Sequence, residues 1–124
     1  MTPRRDRRKA EARGRLSEWA AALLLRLKGY RILAFRVRTK RGEIDLIARA
    51  PTGVLCFVEV KARHETGAGV WAVGARQQSR IAAAAGLYLA AHPKAAPKGV
   101  RFDIVSVAPW RLPRHLPDAF RPGG

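Results

Sequence analysis

The chain has 124 residues, of which 48% are hydrophobic, so it can form one domain with one core and is not expected to be disordered. Its formal net charge of +16, from 25 basic and 9 acidic residues, predicts an acidic partner, with nucleic acid first and an anionic membrane surface second. Cys56 is the only cysteine, which excludes an intrachain disulfide and a cysteine-based zinc site and favours a cytoplasmic protein.

The N-terminal residues 1–15 form a basic arm, with seven basic and two acidic residues between Thr2 and Arg15. We expect this arm to be either mobile or the frayed start of a helix. It either binds phosphates or is a solvated tail, and both interpretations stay open. The apolar run from Trp19 to Leu25 is shorter than the about 20 residues that span a bilayer, so no membrane partner is expected.

The first regular element is a predicted helix that begins at Leu16. Apolar residues recur at steps of three and four positions, which indicates one helical face directed toward a core. Gly29 is expected to end the helix in a left-handed conformation. The predicted buried stripe consists of Leu16, Trp19, Ala20, Leu23, Leu24 and Leu27.

Three predicted strands follow, connected by short turns. They cover Tyr30 to Arg38, Glu43 to Arg49 and Val54 to Ala62, separated by the turn sequences "TKRG" and "APTG". Consecutive strands with such short connections pair as antiparallel neighbours, so a three-stranded meander is predicted.

The rest of the chain alternates between loops, one helix and one strand. Residues 63–74 lack periodicity and are predicted to be a loop, and a second helix covers Arg76 to Ala91. A fourth strand covers Val100 to Ala108, and the Pro-rich residues 109–124 are expected to have little regular structure.

This order of elements predicts an α/β fold. The second helix can cross over and place the fourth strand beside the meander. The result is a central mixed sheet of about four strands flanked by helices, contained in residues 16–108.

Charged residues interrupt the apolar pattern of the second and third strands. Because side chains on a strand alternate between faces, Asp45 and Glu59 are predicted to lie side by side, with Lys61 one pleat further along. One face of the second strand carries Glu43, Asp45 and Ile47, opposite Ile44, Leu46 and Ala48. One face of the third strand carries Leu55, Phe57, Glu59 and Lys61, opposite Cys56, Val58 and Val60.

Two interpretations account for charges in these strands. The first is a structural ion pair in which Lys61 neutralises Glu59 or Asp45. The second is a divalent cation, because two adjacent carboxylates repel each other and one ammonium cannot neutralise both. Mg²⁺ is typically held by one or two carboxylates together with phosphate oxygens and water, and a nearby lysine can orient water or stabilise phosphate charge. Together with the basic surface, this pattern indicates metal-assisted phosphodiester hydrolysis.

The segments "GEIDLIA" and "FVEVKAR" resemble the YraN-like family of the PD-(D/E)XK nuclease-like superfamily, to which the archaeal Holliday-junction resolvases are related. The resemblance covers about Gly14 to Val107. It implies a restriction-endonuclease-like layered fold. It also implies that Asp45, Glu59 and the backbone carbonyl of Val60 bind Mg²⁺ or Mn²⁺, while Lys61 serves the attacking water.

The resemblance adds residues around this core. An acidic residue of the first helix often completes the site, and Glu18 has the matching position, although it could also be an ordinary solvent-facing glutamate. Independently of the resemblance, Glu43 shares the predicted face of Asp45 and is a secondary candidate, either as a spare ligand or as the partner of a basic neighbour. Gln78 is expected to point its amide toward the site. Gln77 stands where superfamily members tend to have a lysine, which argues against a second basic catalytic group.

Other polar and aromatic residues carry weaker signals. Trp71 either stacks on an unpaired base or anchors its loop. His64 is within reach of a phosphate, whereas His92 and His115 are expected at the surface, and none of the three is assigned to a metal. Asp103 is expected to pair with an arginine.

Two functions from different classes follow. The first is a Mg²⁺-dependent endonuclease acting on DNA, with branched or junction DNA as a candidate substrate. The alternative is a non-catalytic nucleic-acid-binding protein on a nuclease-like scaffold. A third interpretation is a small basic subunit of a larger nucleoprotein assembly, which would use the same arm and charge but need no intact acidic cluster. Because junction resolvases make two cuts with two sites, the resemblance also suggests a homodimer, although the sequence identifies no dimer surface.

Overall fold

The computed structural model describes the backbone of residues 4–62 and 73–122, with side chains from Arg15 onward in these ranges. His64 and Trp71 lie outside the described residues. The helices are α1 (Arg4–Leu27) and α2 (Ala75–Ala91), and the strands are β1 (Arg31–Arg38), β2 (Glu43–Arg49), β3 (Leu55–Ala62), β4 (Val100–Val107) and β5 (Arg114–Leu116). Within these ranges, no helix combines the length and the apolar character needed to cross a bilayer.

The strands form one mixed sheet in the order β1-β2-β3-β4-β5. β1, β2 and β3 are antiparallel neighbours, β4 is parallel to β3, and β5 is antiparallel to β4. The parallel step is the one that α2 crosses. The predicted α/β class with a mixed sheet is therefore confirmed, with one strand more than the four expected from the sequence.

The two helices cover opposite faces of the sheet. α1 packs Ala21, Ala22 and Leu25 against a cluster that includes Leu46 and Val58. α2 packs Ala84 and Ala85 against a cluster of Ile44, Ile47, Leu55 and Phe57. The middle strand β3 is consequently buried on both faces along its first half, which explains its nearly continuous apolar sequence.

The predicted buried stripe of α1 is wrong by about one position. The side chains of Leu16, Trp19, Leu23 and Leu27 are 59% to 78% exposed, and the helix instead buries Ser17, Glu18, Ala21, Ala22 and Leu25. The segment "WAAALLL" is apolar on several sides, so periodicity alone leaves more than one candidate face. The small alanines face the sheet because they let the helix backbone approach it closely.

α1 also begins at Arg4 rather than at Leu16, so the backbone of the basic arm is helical from that residue.

The C-terminal residues contain more structure than expected. β5 pairs with β4, and Phe120 is buried in a cluster with Ile81 and Ile104. The buried carboxylate of Asp103 accounts for this arrangement, because a charge without access to water needs several donors. Its donors come from β4 itself and from the C-terminal segment.

The hydrogen-bond network around Asp103 connects four parts of the chain. Arg101 donates from Nε and Nη2 at 2.8 Å each, His115 lies 2.8 Å away, and the backbone amide of Asp118 donates at 3.0 Å. Arg101 also donates to the hydroxyl of Tyr30 at 2.6 Å. The predicted pairing of Asp103 with an arginine is confirmed. The predicted surface position of His115 is wrong, since its side chain is only 1% exposed.

Candidate active site

Asp45 and Glu59 meet where the ladder between β2 and β3 ends. Leu46 pairs with Val58, and the same register places Asp45 opposite Glu59. At this point the backbone amide of Val60 donates to Oδ2 of Asp45 at 2.8 Å, in place of a further bond between the two backbones. The two carboxylates therefore lie next to each other at the end of the central strands.

The alternation of β2 breaks at this site. Ile44 packs with Ile47 and Phe57 toward α2, whereas Leu46 packs toward α1. The prediction that Ile44 shares a face with Leu46 is therefore wrong. The irregularity coincides with Arg36 of β1, which the register places opposite Asp45 and which has a left-handed φ of 49°. Such a residue locally reorients neighbouring side chains.

Two cavities open on either side of the carboxylate pair, and Glu43, Asp45 and Glu59 line both. The cavity on the α2 side has a volume of about 550 Å³. Its remaining lining residues are Gly42, Gly74, Arg76, Gln77, Arg80 and Ile81. The cavity on the α1 side has a volume of about 450 Å³. Its remaining lining residues are Ser17, Glu18, Arg36, Arg38, Val60 and Ala62.

Gly42 allows α2 to lie close to the start of β2. A Cβ atom at this position would come within 3.3 Å of the backbone oxygen of Arg80, tighter than ordinary van der Waals contact. The first turns of α2 therefore stand directly beside the carboxylates. This close approach brings Arg76, Gln77 and Arg80 to the cavity on the α2 side.

Lys61 is connected to Glu59 through Gln77. Nζ of Lys61 donates to Oε1 of Gln77 at 3.0 Å, and Nε2 of Gln77 donates to Oε1 of Glu59 at 2.7 Å. Nζ of Lys61 also lies 3.6 Å from Oε1 of Glu59. From the sequence, Gln77 is interpreted only as a position where superfamily members tend to have a lysine. Its place one helical residue before Gln78 is the signal that could have identified it as the glutamine that faces the carboxylates.

Gln78 does not line either cavity. Its side-chain amide, expected to point toward the site, donates instead to the backbone oxygen of Val73 at 2.7 Å. Neighbouring helical residues point about 100° apart, so only one of the two glutamines can face the carboxylates. Gln78 stabilises the start of α2, and Gln77 is the site residue.

Glu18 and Glu43 each have an arginine partner. Glu18 is only 7% exposed, which excludes the solvent-facing alternative, and Oε1 accepts from Nε of Arg36 at 2.7 Å. Glu43 lies at the rim, 3.4 Å from Nε of Arg38. Both glutamates border the cavity on the α1 side.

The electrostatics of the pair favour partial protonation. Burial, followed by the charge of Glu59, raises the pKa of Asp45 to about 7. Burial also raises the pKa of Glu59, opposed by the nearby Lys61. The pair therefore retains a proton close to neutral pH, although Lys61 is adjacent.

The donor set fits one hard cation with few protein ligands. Asp45 and Glu59 offer carboxylate oxygens, and Val60 borders the same cavity, so its backbone carbonyl is available nearby. In the ranges that the structure describes, no three His, Cys, Asp or Glu side chains converge as a preformed metal site. Mg²⁺ is compatible with this arrangement, because it commonly uses one or two carboxylates and takes its other ligands from water and phosphate.

Comparison with known proteins identifies the family. The model of the uncharacterised protein family UPF0102 matches residues 17–107. A UPF0102 protein of Rhizobium etli is 57% identical over 114 residues, covering 92% of this chain and 93% of the relative. A UPF0102 protein of Agrobacterium fabrum is 56% identical over the same coverage, and one of Paramagnetospirillum magneticum is 48% identical over 96% of this chain and 95% of its own. The matched region contains the whole carboxylate site, and the chain belongs to the uncharacterised protein family UPF0102.

Proposed function

We propose that this protein is a metal-dependent nuclease that hydrolyses phosphodiester bonds in DNA. The observation that carries the proposal is the adjacent pair Asp45 and Glu59, with Lys61 linked to it through Gln77. Its resemblance to the YraN-like family, and through it to the PD-(D/E)XK nuclease-like superfamily, supports the same assignment. A structural ion pair accounts less well for the site, because Lys61 with Glu59 explains only one carboxylate and leaves Asp45 beside it as a buried acid with a raised pKa.

The residues of the pair have separate roles in this proposal. The carboxylates of Asp45 and Glu59 and the carbonyl of Val60 hold Mg²⁺ or Mn²⁺. When bound, such an ion polarises a phosphate oxygen and makes a coordinated water more acidic. Lys61 lies beside Glu59, where its ammonium orients the attacking water or offsets charge that develops on the phosphate.

The surrounding arginines suit the phosphate. Arg76 and Arg80 line the cavity on the α2 side, and Arg36 and Arg38 line the cavity on the α1 side. Guanidinium groups bind phosphate oxygens through two parallel hydrogen bonds. Backbone phosphates of a nucleic acid that crosses the carboxylate pair would therefore meet a cation on either side of it. The net charge of +16 favours such a polyanion over a small neutral substrate.

The alternative function is a non-catalytic nucleic-acid-binding protein on the same scaffold. The net charge supports this alternative equally well. A binding surface, however, gains nothing from a half-buried pair of carboxylates beside the phosphate path. Branched or junction DNA as the substrate and action as a homodimer extend the proposal through the resemblance to junction resolvases. A cytoplasmic location is proposed from the single cysteine, Cys56.

A cleavage panel tests the proposal. Single-stranded, duplex, flap and four-way-junction DNA, and RNA, are incubated with Mg²⁺, Mn²⁺ or a chelator, alongside Asp45→Asn and Lys61→Ala. We expect metal-dependent cleavage of at least one DNA by the wild type and none by either variant. Binding without cleavage on every substrate and metal would favour the alternative function.

A further inference from the structure

Glu18 is a buried carboxylate whose charge already has a counter-ion in the protein. Its Oε1 accepts from Nε of Arg36 at 2.7 Å, and its side chain is almost fully enclosed. Both residues line the α1-side cavity together with Asp45 and Glu59. This carboxylate is therefore close to the pair, yet it is committed to an arginine.

Arg36 reaches this position through an unusual backbone conformation. Its φ of 49° is left-handed, which costs free energy for a residue with a side chain and is concentrated at functional sites. The pKa of Arg36 is raised, mainly by the hydrogen bond to Glu18 and also by the charges of Glu43 and Asp45. The guanidinium thus acts on the same carboxylates that a divalent cation would.

We propose that Arg36 is a positioning residue that occupies Glu18 until a divalent cation and a phosphate group enter the α1-side cavity, when Glu18 turns to the cation and Arg36 to the phosphate. The inference rests on the proposed nuclease function. It follows from a competition between two cations for one carboxylate. Arg36 is suited to the exchange because guanidinium binds carboxylate and phosphate with the same planar geometry.

The first test measures cation binding without nucleic acid. The probe is Mn²⁺ alone, titrated calorimetrically into the wild type, Arg36→Gln and Arg31→Gln. Arg31 is the matched control, because it is an exposed arginine at the other end of β1 and lines neither cavity. Release of Glu18 in Arg36→Gln should tighten Mn²⁺ binding by at least about tenfold, since a full additional charge then faces the ion. Arg31→Gln should bind Mn²⁺ like the wild type.

The second test measures phosphate binding and does not depend on a buried, unpaired Glu18. In Glu18→Gln the neutral amide no longer holds Arg36 by charge. This variant should therefore bind deoxythymidine monophosphate more tightly than the wild type when no metal is present. In the wild type, Mg²⁺ should increase the affinity for deoxythymidine monophosphate. In Arg36→Gln this increase should be smaller, because only direct coordination of the phosphate by the ion then remains.

The outcomes separate this inference from the proposed function. If Arg36→Gln binds Mn²⁺ no more tightly than Arg31→Gln and the wild type, or if Glu18→Gln gains no phosphate affinity, Arg36 is a static structural partner and the inference is wrong, while the nuclease proposal stands. If the wild type and all variants fail to bind Mn²⁺, both are wrong. If Arg36→Gln does not fold, the Glu18→Gln measurement alone decides.

Discussion

The side chain of Gln77 bridges the active-site candidates, with its Nε2 2.7 Å from Oε1 of Glu59. Its Oε1 accepts a hydrogen bond from Lys61 on the other side. A neutral amide is suited to this position, because it donates to the carboxylate and accepts from the ammonium without changing the charge of the site. A lysine there could not accept the hydrogen bond from Lys61.

Replacing Gln77 should impair chemistry without preventing metal binding. Gln77→Leu removes both hydrogen bonds and leaves Lys61 without its orientation. Hydrogen bonds to charged groups contribute about 1.5–3 kcal/mol, so the cleavage rate should fall by roughly 10- to 100-fold. The matched control is Gln78→Leu, because the side-chain amide of Gln78 donates to the backbone oxygen of Val73 rather than to Glu59. It should lower the melting temperature slightly and leave the rate per folded molecule unchanged, and equal rate losses in both variants would contradict the role of Gln77.

The carboxylate pair should make the metal-free protein less stable as the pH rises. The pKa of Asp45 is about 7 in the folded state and about 4 in an unfolded chain. Because the folded pKa lies above the unfolded value, the folded state keeps its proton to a higher pH. The stabilisation from protonated Asp45 is therefore fully present below about pH 4 and is lost as the pH rises through 7. A difference of about three pKa units corresponds to a loss of at most about 4 kcal/mol in the free energy of unfolding.

Urea denaturation with a chelator at pH 5 and pH 8 measures this slope. Asp45→Asn should flatten it and should be more stable than the wild type at pH 8. Asp118→Asn, which removes a more exposed carboxylate paired with Arg121, is the control and should keep the wild-type slope. Added Mg²⁺ should restore stability at pH 8 only in proteins that retain Asp45, because a ligand stabilises the state that binds it. A wild-type protein equally stable at both pH values would contradict the raised pKa of Asp45.

Sequence reasoning located the pair because its information is local. The short connection between β2 and β3 fixes their register, and this register places Asp45 opposite Glu59. The buried face of α1 was missed for a different reason. Its apolar residues surround the helix, so the choice between Leu23 and Ala22 depends on how closely the sheet approaches.

Long-range contacts determine the remaining differences. β5 has only three residues within a Pro-rich segment, and it forms because His115 reaches the buried Asp103. The ion pair of Glu18 depends on the left-handed conformation of Arg36, which nothing in the surrounding sequence signals. Each feature depends on a buried carboxylate, Asp103 or Glu18, whose partner comes from another element of the chain.

The network around Asp103 should be among the largest single contributions to stability. Burial by itself would raise the pKa of Asp103, but hydrogen bonds from Arg101, His115 and the Asp118 amide hold it at about 2. Because this folded pKa is depressed, its stabilising effect is present above about pH 4 and is lost as the pH falls through 2. Asp103→Ala leaves a buried cation uncompensated and should cost about 3–5 kcal/mol. Thermal and urea unfolding should show this loss at pH 7, and a loss below 1 kcal/mol would mean that the network is as weak as a surface pair.

The proposed contact between the protein and nucleic acid should depend on salt. Each phosphate that a cation neutralises releases counterions, so the logarithm of DNA affinity should fall with the logarithm of salt concentration, with a slope of about −0.9 per contact on duplex. Arg76→Gln combined with Arg80→Gln removes two cations that line the α2-side cavity. If both contact phosphates, the slope should become less steep by about 1.8.

A charge-matched control separates contact from general attraction. Lys94→Gln combined with Lys98→Gln removes the same net charge, but Lys94 follows the opposite end of α2 and Lys98 lies against Gly53, so neither lines a cavity at the carboxylates. Fluorescence anisotropy of a labelled duplex across a salt series, with a chelator to prevent cleavage, gives both slopes. The lysine pair should change the affinity modestly and leave the slope near the wild-type value. Equal changes in the two double variants would mean that DNA is held by overall charge, and the cavity beside Asp45 and Glu59 would then lose its assigned role as the path of the phosphate backbone.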